Sequence, residues 1–108
     1  MLAPQTERAG KSELEIHIKF MGDLPAVMGS RSLKLRMPAE STVRSLFASL
    51  SRTYGEAFTA RVFVNPTKLH HYILVFVDGE HLTARDALDA SLGHGEVEVV
   101  MLPMFGGG

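Results

Sequence analysis

One long stretch of this chain repeats with the period of a helix, and it has to find a surface to lie on. Val43, Leu46, Phe47, Leu50 and Tyr54 fall at i, i+3, i+4, i+7 and i+11, with Arg44, Ser45, Ser49 and Arg52 turned away. Ser41 or Thr42 is placed to cap the first turn by accepting a hydrogen bond from a free amide, and Gly55 stands where a left-handed C-cap belongs. Pro38 closes whatever comes before. The best-defined segments around this stripe alternate with period two, so the surface available to it is one face of a sheet.

Leu14, Ile16, Ile18 and Phe20 share one face of a first strand, with Glu13, Glu15, His17 and Lys19 on the other. Turn residues follow at Gly22-Asp23-Leu24-Pro25 and Gly29-Ser30, and then Leu33, Leu35 and Met37 point inward while Ser32, Lys34 and Arg36 point outward. The two strands read as an antiparallel hairpin with a wide connection. Glu56 to His71 fits either a short helical turn or extended chain, because Ala57, Phe58, Val62, Phe63 and Val64 satisfy both patterns. Ile73 to Val77 is apolar throughout and meets Asp78-Gly79, which predicts an interior strand entering a tight turn, with Glu80-His81-Leu82 returning. Thr83 to Leu92 predicts a capped helical turn, broken by Gly93-His94-Gly95 before a last strand over Glu96 to Leu102. The expected architecture is α+β, a ubiquitin-like β-grasp: a mixed sheet of four to five strands with one main helix across one face. Residues 1-12 are expected to be a flexible extension, 13-103 the domain, and 104-108 a flexible glycine tail.

Composition removes several kinds of chemistry. The 108 residues suit one domain, and a net charge of -1 gives no electrostatic case for nucleic acid or an anionic membrane. With no cysteine there is no disulfide, thiolate metal site or thiol nucleophile. No phosphate-cradling loop, dinucleotide fingerprint or nucleophile elbow is present, so any ATP would be bound by a partner. The longest aliphatic and aromatic run, Tyr72 to Val77, is too short to span a bilayer, and the first residues lack the apolar stretch of a signal peptide. A cytoplasmic location is expected. His70 and His71 are adjacent and point apart, so they read as surface histidines; Asp78 and Glu80 read as turn residues, Asp86 and Asp89 as a solvated face. Met21, Met28, Met37, Met101 and Met104 are either core fillers or an adaptable docking surface, and Met37 and Met101 keep the strand phase of core positions.

The remaining feature is the end, Pro103-Met104-Phe105-Gly106-Gly107-Gly108. Glycine passes through channels closed to other residues, and five residues beyond Pro103 reach roughly 17 Å when extended. The terminal carboxylate is ionised at neutral pH and needs activation before it can act as an electrophile. Met104 and Phe105 form a large apolar pair with no core position, suited to a partner's groove.

In this order the pieces resemble the MoaD/ThiS family of ubiquitin-like sulfur-carrier proteins, over about Glu13 to Gly108: Ile16-His17-Ile18-Lys19-Phe20, Ser41-Thr42-Val43-Arg44-Ser45-Leu46, Val75-Phe76-Val77-Asp78-Gly79, Gly93-His94-Gly95-Glu96-Val97 and the terminal glycines. The resemblance implies a carrier and not an enzyme, with no cofactor of its own. In such proteins a ubiquitin-activating-type adenylyltransferase uses ATP to convert the terminal glycine to an acyl adenylate. A sulfur donor then makes a thiocarboxylate for a sulfur-accepting enzyme, such as a molybdopterin synthase large subunit or a thiazole synthase. By position Gly108 carries the sulfur and Gly107 lies beside it in the thread, with Gly106, Phe105 and Met104 docking the tail. Three glycines stand where the family commonly has two, so the reactive end is Gly108, or Gly107 once Gly108 is removed. The stretch from Glu56 to His71 is longer than in compact members. Two alternatives share these features: a modifier joined to lysines through the same glycine, and a β-grasp binding module whose tail is incidental.

Overall fold

The structure, a computed structural model, describes residues 13-65 and 68-104. Its main helix, α2 (Val43–Tyr54), forms where the stripe predicts it, and Val43, Leu46, Phe47 and Leu50 are buried. Of the two candidate caps it is Thr42 whose hydroxyl accepts from the Ser45 amide, at 3.1 Å, while Ser41 Oγ donates to the Pro38 carbonyl at 2.6 Å. The helix end differs from expectation. Gly55 has the positive φ of 67° that favours glycine, but with ψ of -146° it does not close a left-handed cap. It swings the chain directly into a second helix.

The sheet has five strands in the order β2-β1-β7-β5-β6: β1 (Glu13–Phe20), β2 (Ser32–Pro38), β5 (Ile73–Val77), β6 (Glu80–Leu82) and β7 (Gly95–Pro103). The first and last strands are parallel neighbours and the other pairings are antiparallel, so the sheet is mixed as predicted. Parallel pairing of β1 with β7 requires a crossover, and α2 supplies it by packing on one face. Ile16, Ile18, Val75, Val97, Val99 and Met101 from that face join Leu46, Phe47 and Leu50 in a single buried cluster. Leu33, Leu35 and Met37 of the edge strand β2 are half-buried against it. The β5–β6 connection is the two-residue turn read from Asp78-Gly79. Both residues have positive φ, 50° and 84°, as a turn matched to strand twist requires.

Two connections carry more structure than the sequence reading assigned. The turn chemistry after β1 encloses α1 (Leu24–Met28), whose Leu24 and Met28 both enter the core. The mixed stretch resolves into α3 (Glu56–Val62), then β3 (Phe63–Asn65) and β4 (Lys68–Leu69), which pair with each other and not with the main sheet. In α3, Phe58 and Val62 are one turn apart and buried, which selects helix over strand. Phe47, Phe58 and Phe63 meet edge to face with centroids 5.8 to 6.2 Å apart, and Arg61 is ion-paired with Asp23 beside α1. The capped turn is α4 (Ala84–Ala87), with Thr83 Oγ1 accepting from the Asp86 amide. No helix among the described residues is long and apolar enough to cross a membrane.

Candidate functional site

The end of β7 is the place to which the sequence points, and four contacts fix it. Phe20 pairs with Met101 and Ile73 with Pro103 across the two neighbouring strands. The Met21 amide donates to the Met101 carbonyl at 2.9 Å, and the Met104 amide donates to the Tyr72 carbonyl at 2.6 Å. Gly22, at φ 63°, allows the turn after β1 to close over Pro103: a Cβ there would sit 3.2 Å from two atoms of the proline ring. The chain is therefore held as far as Met104, whose side chain is 51% exposed, and Met21 nearby is 45% exposed. Met28 and Met101 are core residues and Met37 is half-buried, so of the methionines weighed for docking only Met21 and Met104 offer a free surface. Phe105, Gly106, Gly107 and Gly108 lie outside the described residues, as do residues 1-12.

The sequence reading missed the surface beside this exit. In β5 the core takes Ile73 and Val75, which leaves Leu74 and Phe76 on the face away from α2. In β7 the core takes Val99 and Met101, leaving Val100 and Leu102. Leu74 stands opposite Leu102 and Phe76 opposite Val100, so the four make a cross-strand apolar patch, half-buried by one another and outside the core cluster. Phe76 also meets the His81 ring at 5.2 Å, extending the patch to β6. The signal was present in the sequence, since Tyr72 to Val77 and Val99 to Leu102 are apolar without alternation and a strand so composed is apolar on both faces.

The other half of this open face is charged. Glu15, His17 and Lys19 of β1 run beside Glu96 and Glu98 of β7 and Lys34 and Arg36 of β2, with Lys19 and Glu98 paired at 3.0 Å. An apolar patch with a charged border is the pattern of a protein-binding surface.

The remaining candidates fall into structural roles. His70 stacks on Tyr72 at 4.8 Å and His71 meets the same ring edge-on at 5.8 Å, and no three His, Asp or Glu among the described residues are grouped to hold a metal. Asp78 Oδ1 accepts from the Glu98 amide at 2.9 Å, tying the turn to β7, while the neighbouring Glu80 is exposed. Asp86 supports the cap of α4, and both Asp86 and Asp89 are exposed, as a solvated face requires, with Asp89 pairing there with Arg44 Nη2 at 2.9 Å.

Element order, sheet order and exit geometry together define a ubiquitin-like β-grasp protein. No family model matches the chain and no curated protein matches it by sequence. Solved structures do match. The chain is similar to SAMP1, a small archaeal modifier protein of Haloferax volcanii, at 27% identity over 87% of this chain and 99% of that one, with a TM-score of 0.66. A chain of the BexX/CysO complex of Amycolatopsis orientalis is similar at 24% identity over 86% and 99%, TM-score 0.67. A molybdopterin converting factor subunit 1 of Pyrococcus furiosus is similar at 15% identity over 84% and 98%, TM-score 0.64. The resemblance read from the residues is thus met again in three dimensions.

Proposed function

We propose that this chain is a carrier protein whose terminal glycine is activated by a partner and loaded with sulfur. The observation that carries the reading is that β7 builds half of the apolar patch and leads directly from it to Met104. One partner can therefore grip Leu74, Phe76, Val100 and Leu102 while it draws Met104 and the residues beyond into its active site. Adenylation joins the Gly108 carboxylate to the α-phosphate of ATP and releases pyrophosphate; attack by a sulfur donor displaces AMP and leaves the thiocarboxylate. ATP belongs to the adenylyltransferase, and the chain supplies only substrate and docking surface. Similarity to a molybdopterin converting factor subunit and to a chain of the BexX/CysO complex supports a place as the small non-catalytic partner of a sulfur-accepting enzyme; the type proposed is a molybdopterin synthase or thiazole synthase, and the location proposed is the cytoplasm.

A second reading is favoured by the similarity to SAMP1: the same adenylated glycine forms an isopeptide bond with lysines of other proteins. One experiment separates the two. The chain is incubated with its host's adenylyltransferase, ATP and a sulfur donor, and the intact mass is read for replacement of one oxygen by sulfur. Lysine conjugates are sought in parallel from the native host. A thiocarboxylate without conjugates supports the carrier, conjugates support the modifier, and a chain that accepts no adenylate overturns both. Reaction only of a form lacking Gly108 would move the chemistry to Gly107.

A further inference from the structure

A second concavity lies on the helix side of the molecule, built by the segment that the sequence left mixed. It is a groove of about 830 Å³ between the outer face of α2 and the α3–β3 segment. Ala48, Ala60 and Val64 line it, all exposed, with half-buried Phe63 at its base. The Phe63 ring is held from behind by Phe47 and Phe58, so this apolar floor is formed before anything binds. Val64, at 53% exposure, is one of three large apolar side chains standing free among the described residues; the other two belong to the tail exit.

The charges around the groove choose the occupant. Arg44 and Arg52 both line it; Arg44 gives one nitrogen to Asp89, and Arg52 has no ion pair among the described residues. Glu56 is the one carboxylate in the lining. An apolar side chain over Ala48, Ala60 and Val64 would thus bring the flanking positions of its own chain to two guanidinium groups, whose planar forks suit carboxylates. We propose that this groove binds a peptide segment of a partner protein in which acidic residues flank an apolar one. Since α2 packs on the opposite face of the sheet from Leu74 and Phe76, an occupant here leaves that patch free. The chain can then be held at the groove while a second partner sits on the patch.

The test uses a fluorescein-labelled octapeptide of glutamate and leucine, titrated into the full chain beside a counterpart with lysine in place of glutamate. The acidic peptide is expected to bind about tenfold tighter than the basic one, a difference of one charge-pair interaction. Amide shifts should be confined to Ala48, Ala60, Val64 and their neighbours, and Arg52→Glu should reverse the preference between the peptides. Val64→Ser, at an exposed position that leaves the core intact, should weaken the acidic peptide without changing the preference. Equal binding of both peptides, absence of saturation, shifts centred on Leu74 and Phe76, or dimerisation of the chain through the groove would each overturn the proposal.

Discussion

The two faces of strands β5 and β7 are made of the same kinds of residue and have different fates. Ile73, Val75, Val99 and Met101 are almost wholly removed from solvent in the core on the side of α2, whereas Leu74, Phe76, Val100 and Leu102 are only half-buried, against one another and His81. Nothing in the side chains themselves distinguishes the sets; the helix covers one face and nothing among the described residues covers the other. The covered face supplies stability, and the uncovered face, continuous with the tail exit, is free for recognition.

The largest effect that tests this division is expected on the covered side. Phe47→Ala removes the ring that joins α2 to Phe58 and Phe63, and should cost about 3 to 5 kcal/mol, read as a shift of the urea midpoint. A loss below about 1 kcal/mol would mean that α2 is not the lid of the core. Next is the tail. On the proposed activation a Cβ at Gly107 would crowd the approach of the carboxylate to ATP, and Gly107→Val is expected to slow adenylation by about 100-fold, measured as pyrophosphate release, with the urea midpoint left in place.

On the open face, Phe76→Ala should weaken binding of the proposed adenylyltransferase partner by about tenfold in calorimetric titration. Its stability cost should stay near 1 kcal/mol, because the ring is only half-buried. If Phe76→Ala destabilises as much as Phe47→Ala, the two faces do not divide the work as described. The smallest effect is local to the start of the lid. Thr42→Ala removes the acceptor for the Ser45 amide and should cost about 1 kcal/mol, with Thr42→Ser restoring most of it.

Patterns repeating within a few residues were sufficient for much of this molecule. The stripe from Val43 to Tyr54, the alternation of Glu13 to Phe20 and the Asp78-Gly79 turn each specify an element and its buried side by local geometry, and their order specifies a β-grasp sheet. The tail's glycines and the exposed apolar Met104 were equally plain, because a missing Cβ and a broken pattern are properties of single positions. Tertiary structure decided what depended on contacts between distant residues. Phe58 and Val62 became helical because Phe47 and Phe63 hold Phe58 in a three-ring cluster, and Gly55, at φ 67° and ψ -146°, turns the chain straight into that second helix. Leu74 and Phe76 became surface because there is one main helix for two apolar faces. The hydrophobic effect drives each of these side chains to be covered with similar strength, and which one is covered is settled only when the chain is packed.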